Sequence, residues 1–383
     1  CYFDFNGKLD YQHLTHNKGE ALTLSYLIST TNQENNSEGS YYDLINFPLD
    51  YDNVKNNSKL NFYEHTFQFD WTRPFAEKHK VEMGLKYILR QNFSKTQYEY
   101  NNGMNEFTNF DHITNMGAAY SEYSFNSKKW GARAGVRYEF AHLKGDNKND
   151  NESSFSSSIN DIVPTVSASY KINDSNTLKL NFATRINRPG ISYLNPAVNV
   201  TPTSVSYGNP NLESTRRNSI RLSYSLMKQK IIISTSTNFT WANNSLMSLQ
   251  WIKDGITYST YANSGKARGF SWNLYTQWTP TKSTQLMLNG SLSYQKYQNV
   301  QNLENDGWGK NLYANIKQNL AWKLILNANM YYWYGGIHDA YSKGGDVLGY
   351  GFNLSRSFLK EDRLTVKLGA QAPFSSKYRK GKY

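Results

Sequence analysis

Residues 177–183 read Thr-Leu-Lys-Leu-Asn-Phe-Ala, and residues 220–226 read Ile-Arg-Leu-Ser-Tyr-Ser-Leu. Apolar and polar side chains alternate with period two in both. Leu178, Leu180 and Phe182 interleave with Lys179, Asn181 and Ala183, and Ile220, Leu222, Tyr224 and Leu226 with Arg221, Ser223 and Ser225. A strand sends successive side chains to opposite faces, so the pattern predicts β-strands with one oily face. It returns at Leu286, Leu288, Leu292 and Tyr294, and again at Leu348, Tyr350, Phe352 and Leu354, where Gly349, Gly351, Asn353 and Ser355 fill the other face. In a soluble sandwich one face interlocks with a second sheet and the other usually carries many Lys and Glu. Here the second face is Asn, Ser, Gln, Thr and Gly, which suits a wetted lumen behind an oily face covered by hydrocarbon.

Several runs are long enough to cross a bilayer. Lys59–Thr72, Val81–Tyr98 and Gly269–Trp278 reach or exceed the roughly 9 to 11 residues that a tilted strand needs. Tight turns at Asn17–Gly19, Phe75–Lys78, Asn126–Lys129, Asn173–Asn176, Lys228–Gln229, Thr279–Ser283, Gln318–Leu320 and Lys360–Asp362 alternate with longer connections. The latter are Asn32–Ser58, Asn101–His112, Lys144–Asn160, Asn187–Thr215, Ala242–Asn263, Asn299–Asp306 and Ile337–Gly345. Short turns on the periplasmic side and long loops outside are the habit of outer-membrane barrels. The expected fold is therefore all-β, a transmembrane antiparallel up-and-down β-barrel with about sixteen strands in residues 1–383. The first strand would descend from the long-loop side and the last would rise to it. This reading expects one barrel domain, incomplete at both ends, whose tail Lys377–Tyr383 lacks the alternating last strand of such barrels. Pro164 is expected near the start of a strand, where a missing amide is tolerated. The Asn- and Ser-rich segments Asn35–Ser40 and Asn147–Ser158 read as solvated loops.

The composition supports the same class. Aromatic residues make up 15%, with 30 Tyr and 9 Trp, although the mean hydropathy is −0.70 and only 19% of residues are charged. Aromatic belts at a membrane boundary account for rings in such excess. No stretch approaches the roughly 18 apolar residues of a spanning helix. The net charge of +12 is spread along the chain without a basic block, which argues against nucleic acid and suits a polar lumen and loops facing anionic glycolipid. One cysteine, Cys1, rules out a disulfide framework.

Between Pro164 and Leu212 three motifs follow in order: Arg185-Ile186-Asn187-Arg188-Pro189, Leu194-Asn195-Pro196 and Gly208-Asn209-Pro210-Asn211-Leu212. They resemble the outer-membrane β-barrel family of TonB-dependent receptors of the Bacteroidetes type. Outside this segment the likeness is generic to barrels. The resemblance implies an integral protein of the bacterial outer membrane that takes up a ligand through a barrel of about 22 strands, with an N-terminal plug and a small periplasmic domain. The implied partners are outer-membrane lipid and lipopolysaccharide, TonB through a region before Cys1, and surface lipoproteins or other envelope proteins. Two further readings stay open: a non-transporting barrel serving as scaffold subunit of an envelope assembly or export complex, and a soluble glycan-binding β-sandwich. Arg185, Arg188, Pro189, Asn195, Pro196, Gly208, Asn209 and Pro210 read as an element that locks a long loop, since Pro fixes φ and Gly permits a positive one. Arg185 and Arg188 are candidates for binding an anion or for pairing with a carboxylate such as Glu213.

The residues give no support for catalysis or for a cofactor. The close pair His13 and His16 would lie on opposite faces of a strand, Asp111-His112 and His338-Asp339 fall in expected loops, and no phosphate-cradling or dinucleotide glycine motif occurs. Two aromatic clusters invite different readings. Trp251, Tyr258 and Tyr261 are candidate ligand contacts, whereas Tyr331, Tyr332, Trp333 and Tyr334 read as part of the interfacial belt. Asp254-Gly255 predicts a hairpin turn, so residues around it should project as a β-ribbon.

Overall fold

The computed structural model describes residues 2–42, 51–149, 154–194, 196, 198–201, 203–298, 303–337, 344–359, 361 and 363–373. Eight strands form the first half of one sheet: β1 (Tyr2–Leu14), β2 (Ala21–Ser40), β3 (Asn53–Ala76), β4 (His79–Tyr100), β5 (Asn105–Asn126), β6 (Trp130–Asn147), β7 (Phe155–Asn173) and β8 (Asn176–Asn187). A helical turn α1 (Ile191–Leu194) and two short strands, β9 (Asn199–Thr201) and β10 (Ser204–Ser206), come next. The second half is β11 (Thr215–Lys228), β12 (Ile231–Lys253), β13 (Ile256–Thr281), β14 (Thr284–Gln298), β15 (Glu304–Asn319), β16 (Leu324–Tyr334), β17 (Asp346–Phe358) and β18 (Leu364–Gln371). Setting aside the two three-residue strands, the described residues hold the sixteen long strands that the turn pattern implies. Each pairs antiparallel with its neighbour in the up-and-down order, β8 passing directly to β11. Among the described residues β1 pairs with β2 alone and β18 with β17 alone.

The alternation resolves into two faces as expected. Leu178, Leu222, Leu288 and Phe352 are between 37% and 45% exposed, although they are the oily members of their strands. Register continues the oily face from strand to strand: Leu180 opposes Leu222, Phe239 opposes Phe270, and Phe270 opposes Tyr294. The rings gather at two levels. Near the short turns Trp130 packs on Tyr170 with centroids 4.4 Å apart and Phe75 lies 6.3 Å from Tyr123; on the other side Tyr294 meets Trp308 at 5.2 Å and Phe239 meets Trp241 at 5.6 Å. These are the girdles that bracket an apolar band in a barrel of this kind.

Four expectations need correction. The segment Asn35–Ser40 is strand, paired with Asn53–Ser58, and so is the end of the other expected loop, Phe155–Ser158, paired with His142–Gly145, because ladder hydrogen bonds satisfy the backbone whatever the side chains are. With 20 residues at about 3.3 Å each and a tilt of about 40°, β2 rises about 50 Å, twice the apolar band of about 25 Å, so its upper half stands clear as a ribbon. Tyr331–Tyr334 do not form one belt: Tyr332 and Tyr334 share the outward face with Met330, while Tyr331 and Trp333 face the lumen, the Tyr331 ring lying over Gly349 where a Cβ would collide with it. The lumen face is not wholly polar either. Ile88, Met116, Ala141 and Leu143, packed by Phe155 and Ile159, form the main buried cluster on the inner side of β4–β7, alternating with outward Tyr87 and Phe140. Finally, Pro164 lies well inside β7. It sits one residue beyond the last β7–β8 pair, Thr165 with Ala183, where no further amide is required on that side. The tail Lys377–Tyr383 and Cys1 lie outside the described residues.

The first short turn is pinned by one carboxylate. Glu20 accepts from Asn17 Nδ2 at 2.6 Å, Thr15 Oγ1 at 2.8 Å and Trp71 Nε1 at 2.9 Å, with Arg73 Nε 4.0 Å away. The bonds from Asn17, Trp71 and Thr15, with help from Arg73, hold its pKa down to about 2 from 4.5. A depressed carboxylate contributes stability that is complete above the unfolded value and lost as pH falls through the folded one. Glu20→Gln should therefore lower the urea midpoint at pH 7, with the difference from wild type shrinking steadily between about pH 4.5 and about pH 2. A constant difference across that window would refute this account of the turn.

Candidate functional site

The seam between β7 and β8 is where the motif acts. β8 pairs with β11 up to Asn187 and Thr215, but its pairing with β7 stops at Ala183. Above that level the two strands part, and β7 keeps only its ladder with β6. Asp161, 2% exposed, and the buried Glu139 face the resulting crevice. Two buried carboxylates so close need cationic partners, because a buried unpaired charge is costly. Arg188, the first residue after β8, supplies one through Nη2, 2.5 Å from Glu139 Oε2 and 3.5 Å from Asp161 Oδ2. Arg216 of β11 approaches Asp161 Oδ1 at 2.9 Å and donates to the Asn160 carbonyl at 3.0 Å. Arg137 Nε completes the set 2.5 Å from Glu139 Oε1, and its guanidinium lies 5.3 Å from the centre of the Tyr120 ring. The Tyr120 hydroxyl in turn donates to Asp70 and accepts from Gln68 at 3.1 Å. The chain of charges thus ties β3, β5, β6 and β7 to β11 across the gap.

Glu213 is not the partner of Arg188 or Arg185. Its carboxylate accepts from Asn244 Nδ2 at 3.4 Å, and its backbone is bridged by Asn263. Arg185 is exposed on β8 opposite Arg217. Glu139 and Asp161 were missed in the sequence because strand order, not spacing, brings them to Arg188. The available signal was an acid on the lumen face of each of two adjacent strands.

After the buried Pro189 the connection packs down on Leu194 and Leu212, 1% and 6% exposed. Asn209 is its hub. It donates from its amide to the Tyr193 carbonyl at 2.7 Å and from Nδ2 to the Tyr261 carbonyl at 2.9 Å, and its Oδ1 accepts from the Asn211 amide at 2.9 Å. β9 and β10 form a small hairpin, and β10 adds in parallel to β13 at Ser204–Ser206 against Thr257–Ser259. The loop is thereby fastened to the ribbon of β12 and β13. Gly208 is buried and is not among the positive-φ glycines of the described residues, so the left-handed turn that a glycine would permit is not formed there. Pro196 and Pro210 are half-buried, and Asn195 lies outside the described residues.

The ribbon itself forms as its turn predicts, with Asp254 at φ 52° and Gly255 at φ 78°. Trp251 and Tyr258 face each other across it and stack at 5.7 Å with an interplanar angle of 10°. Tyr261 projects from the other face and meets Tyr193 edge-on at 4.8 Å, so it belongs to the loop contact and not to the exposed pair. Asp111 and His112 lie on β5, where His112 is buried against Phe155 and Asp111 is 3.6 Å from Lys148. His338-Asp339 lie outside the described residues, and no cluster of three or more His, Cys, Asp or Glu able to hold a metal occurs among those described.

An outward oily face, aromatic girdles, short turns opposite tall ribbons and a charged inner wall define an integral outer-membrane β-barrel. The chain belongs to the outer membrane protein β-barrel family, whose pattern it matches over residues 13–383. No curated protein matches it in sequence. Among solved structures it is similar to the ferric yersiniabactin uptake receptor of Yersinia pestis, with 12% identity, a TM-score of 0.61 and coverage of 96% of this chain and 59% of that one. It is similar also to the ferric citrate transporter FecA in its unliganded form, with 13% identity, a TM-score of 0.69 and coverage of 98% and 57%. A third is the ferric-catecholate import receptor Fiu of E. coli, with 13% identity, a TM-score of 0.64 and coverage of 98% and 60%. The chain thus spans about three fifths of the length of these receptors, and the resemblance to a receptor-type barrel holds for the fold.

Removing one member of a buried ion cluster strands the others. Arg188→Ala should destabilise the folded barrel in lipid by about 3 kcal/mol, and Arg188→Lys should recover only part, because an ammonium lacks the planar fork that reaches two carboxylates. Adding Glu139→Gln to Arg188→Ala should restore some of the loss. Urea titrations of the four proteins read this out, and an Arg188→Ala midpoint equal to wild type would rule the cluster out as a fastening.

Proposed function

We propose that the chain is the barrel wall of an outer-membrane receptor of the TonB-dependent type that takes up a ligand across the outer membrane. The observation that carries the reading is the wall itself: an apolar outer face backed by a fixed, charged inner face, rimmed by ribbons that stand far above the apolar band. The solved receptors of similar fold, those for ferric yersiniabactin, ferric citrate and ferric-catecholate, support it. In this reading further strands join β1 to β18, and a plug elsewhere in the full protein occupies the lumen. Ribbons capture the ligand, and a periplasmic pull on the plug opens the path. The stacked Trp251 and Tyr258 offer a flat, partly exposed surface for ligand contact. Arg188, Pro189, Pro196, Asn209 and Pro210 keep the adjoining loop in one shape, so that the ribbon is presented rigidly.

Energised uptake separates binding from entry. In cells carrying the intact gene, a protonophore should abolish gene-dependent accumulation of ligand in the periplasm while leaving gene-dependent surface binding unchanged. Accumulation that survives the protonophore would refute energised uptake. A deletion strain with no uptake defect but with disrupted envelope complexes would favour the scaffold reading instead.

A further inference from the structure

A cavity of about 540 Å³ lies between β7, β11 and the extracellular part of β12, within the roughly 300–1,000 Å³ typical of small-molecule sites. A β-bulge shapes it. The β12–β13 register breaks between Ala242 and Ser245, which lifts Asn243 and Asn244 out of the ladder, and bulges commonly re-aim side chains in this way. The bulge is fixed by Thr215, whose Oγ1 donates to the Asn244 carbonyl at 2.9 Å and accepts from the Leu246 amide at 3.1 Å. Arg268 Nη2 holds Asn243 Oδ1 at 2.8 Å, so the Asn243 amide group is left oriented as a donor.

Two polar atoms on this cavity have no protein partner. Ser214, 7% exposed, has a buried Oγ without a hydrogen bond, and so does Asn244 at Oδ1. Native interiors pair nearly all such atoms, so two exceptions among the residues that line one cavity point to a group bound there. The chemistry of the walls narrows what that group is. Asn160, Asn218 and the two bulge asparagines are neutral, and the Arg216 guanidinium is already matched by Asp161. Glu213 remains as a single acceptor carboxylate, which disfavours phosphate or any other anion. A neutral ligand dense in hydroxyls, each able to donate and accept, fits this lining.

We propose that the cavity is a saccharide-binding site. Its height identifies two sources of the same chemistry. Asn160 and Asn218 share the outward face with Ile162 and Ile220, which are 59% and 44% exposed and lie two residues nearer the apolar band. The cavity therefore stands at the level where the sugars of an outer-leaflet glycolipid begin, and it is equally open to a free oligosaccharide. The inference does not depend on the transport reading.

The test uses the full-length protein in nanodiscs of phosphatidylethanolamine, applied to a glycan array that carries lipopolysaccharide core oligosaccharides beside plant and host oligosaccharides. At least one saccharide should be retained, and Ser214→Ala and Asn244→Leu should each weaken retention by about fivefold to tenfold, the scale of one lost hydrogen bond. Ser214→Ala removes an unpaired hydroxyl and so should leave the urea midpoint unchanged, which separates loss of binding from loss of fold. Nanodiscs that also contain lipopolysaccharide discriminate the sources: if it abolishes retention, the occupant is the glycolipid headgroup, and if retention persists, it is a free glycan. No retained saccharide, or retention indifferent to both substitutions, would overturn the proposal.

Discussion

Hydrocarbon offers no hydrogen-bond partner, so every amide and carbonyl at membrane depth must find its mate within the protein. That requirement explains why the chain spends nearly all its described length in continuous antiparallel ladders. It also explains the sequence grammar. Each strand needs one face compatible with lipid and one compatible with water, which fixes the period at two and keeps the average hydropathy low. Among the described residues the sixteen long strands run from 8 to 26 residues, and only a crossing segment is subject to the constraint.

Once a ladder clears the bilayer, water can satisfy the backbone and pairing becomes optional. The β7–β8 seam shows the consequence. Pro164 marks the place where pairing ceases, and the gap is held by side chains: Arg188 and Arg216 reach across it from the β8–β11 side, both to Asp161 of β7. Arg188 then leads directly into a loop that β10 and Asn209 fasten to the β12–β13 ribbon. One ion cluster and one asparagine therefore fix the relation between the barrel wall and what rises above it. A receptor benefits from that stiffness, since a preorganised surface loses less entropy on binding.

Local signals carried much of this into the sequence. Strand identity, the outward set of Leu178, Leu222, Leu288 and Phe352, the short turns and the Asp254-Gly255 hairpin all depend on residues within a few positions of one another, and all were legible. The loop expected at Asn35–Ser40 is instead paired strand, because a ribbon in water is indifferent to polarity and polar composition does not imply absence of pairing. The partners of Arg188 were hidden for a different reason. Glu139 and Asp161 are 49 and 27 residues away, and only the order of strands in the sheet makes them neighbours. Trp251, Tyr258 and Tyr261 were grouped by closeness in sequence, yet the pleat that makes strands predictable sends Tyr261 to the opposite face. The bulge at Asn243 and Asn244 left a trace, a polar doublet interrupting the alternation, that was absorbed into a loop boundary.

Covering of the oily face by lipid is the premise under all of this, and adjacent residues on one strand report on it directly. Nitroxide labels placed by cysteine substitution at Leu222 and at Ser223, in a chain with Cys1 replaced by serine, should respond oppositely to power saturation in lipid vesicles. The account predicts that the label at 222 is relaxed by oxygen, which dissolves in hydrocarbon, and the label at 223 by a water-soluble nickel chelate. Equal accessibility of both labels to the nickel chelate, or shielding of the label at 222 from both reagents, would contradict it.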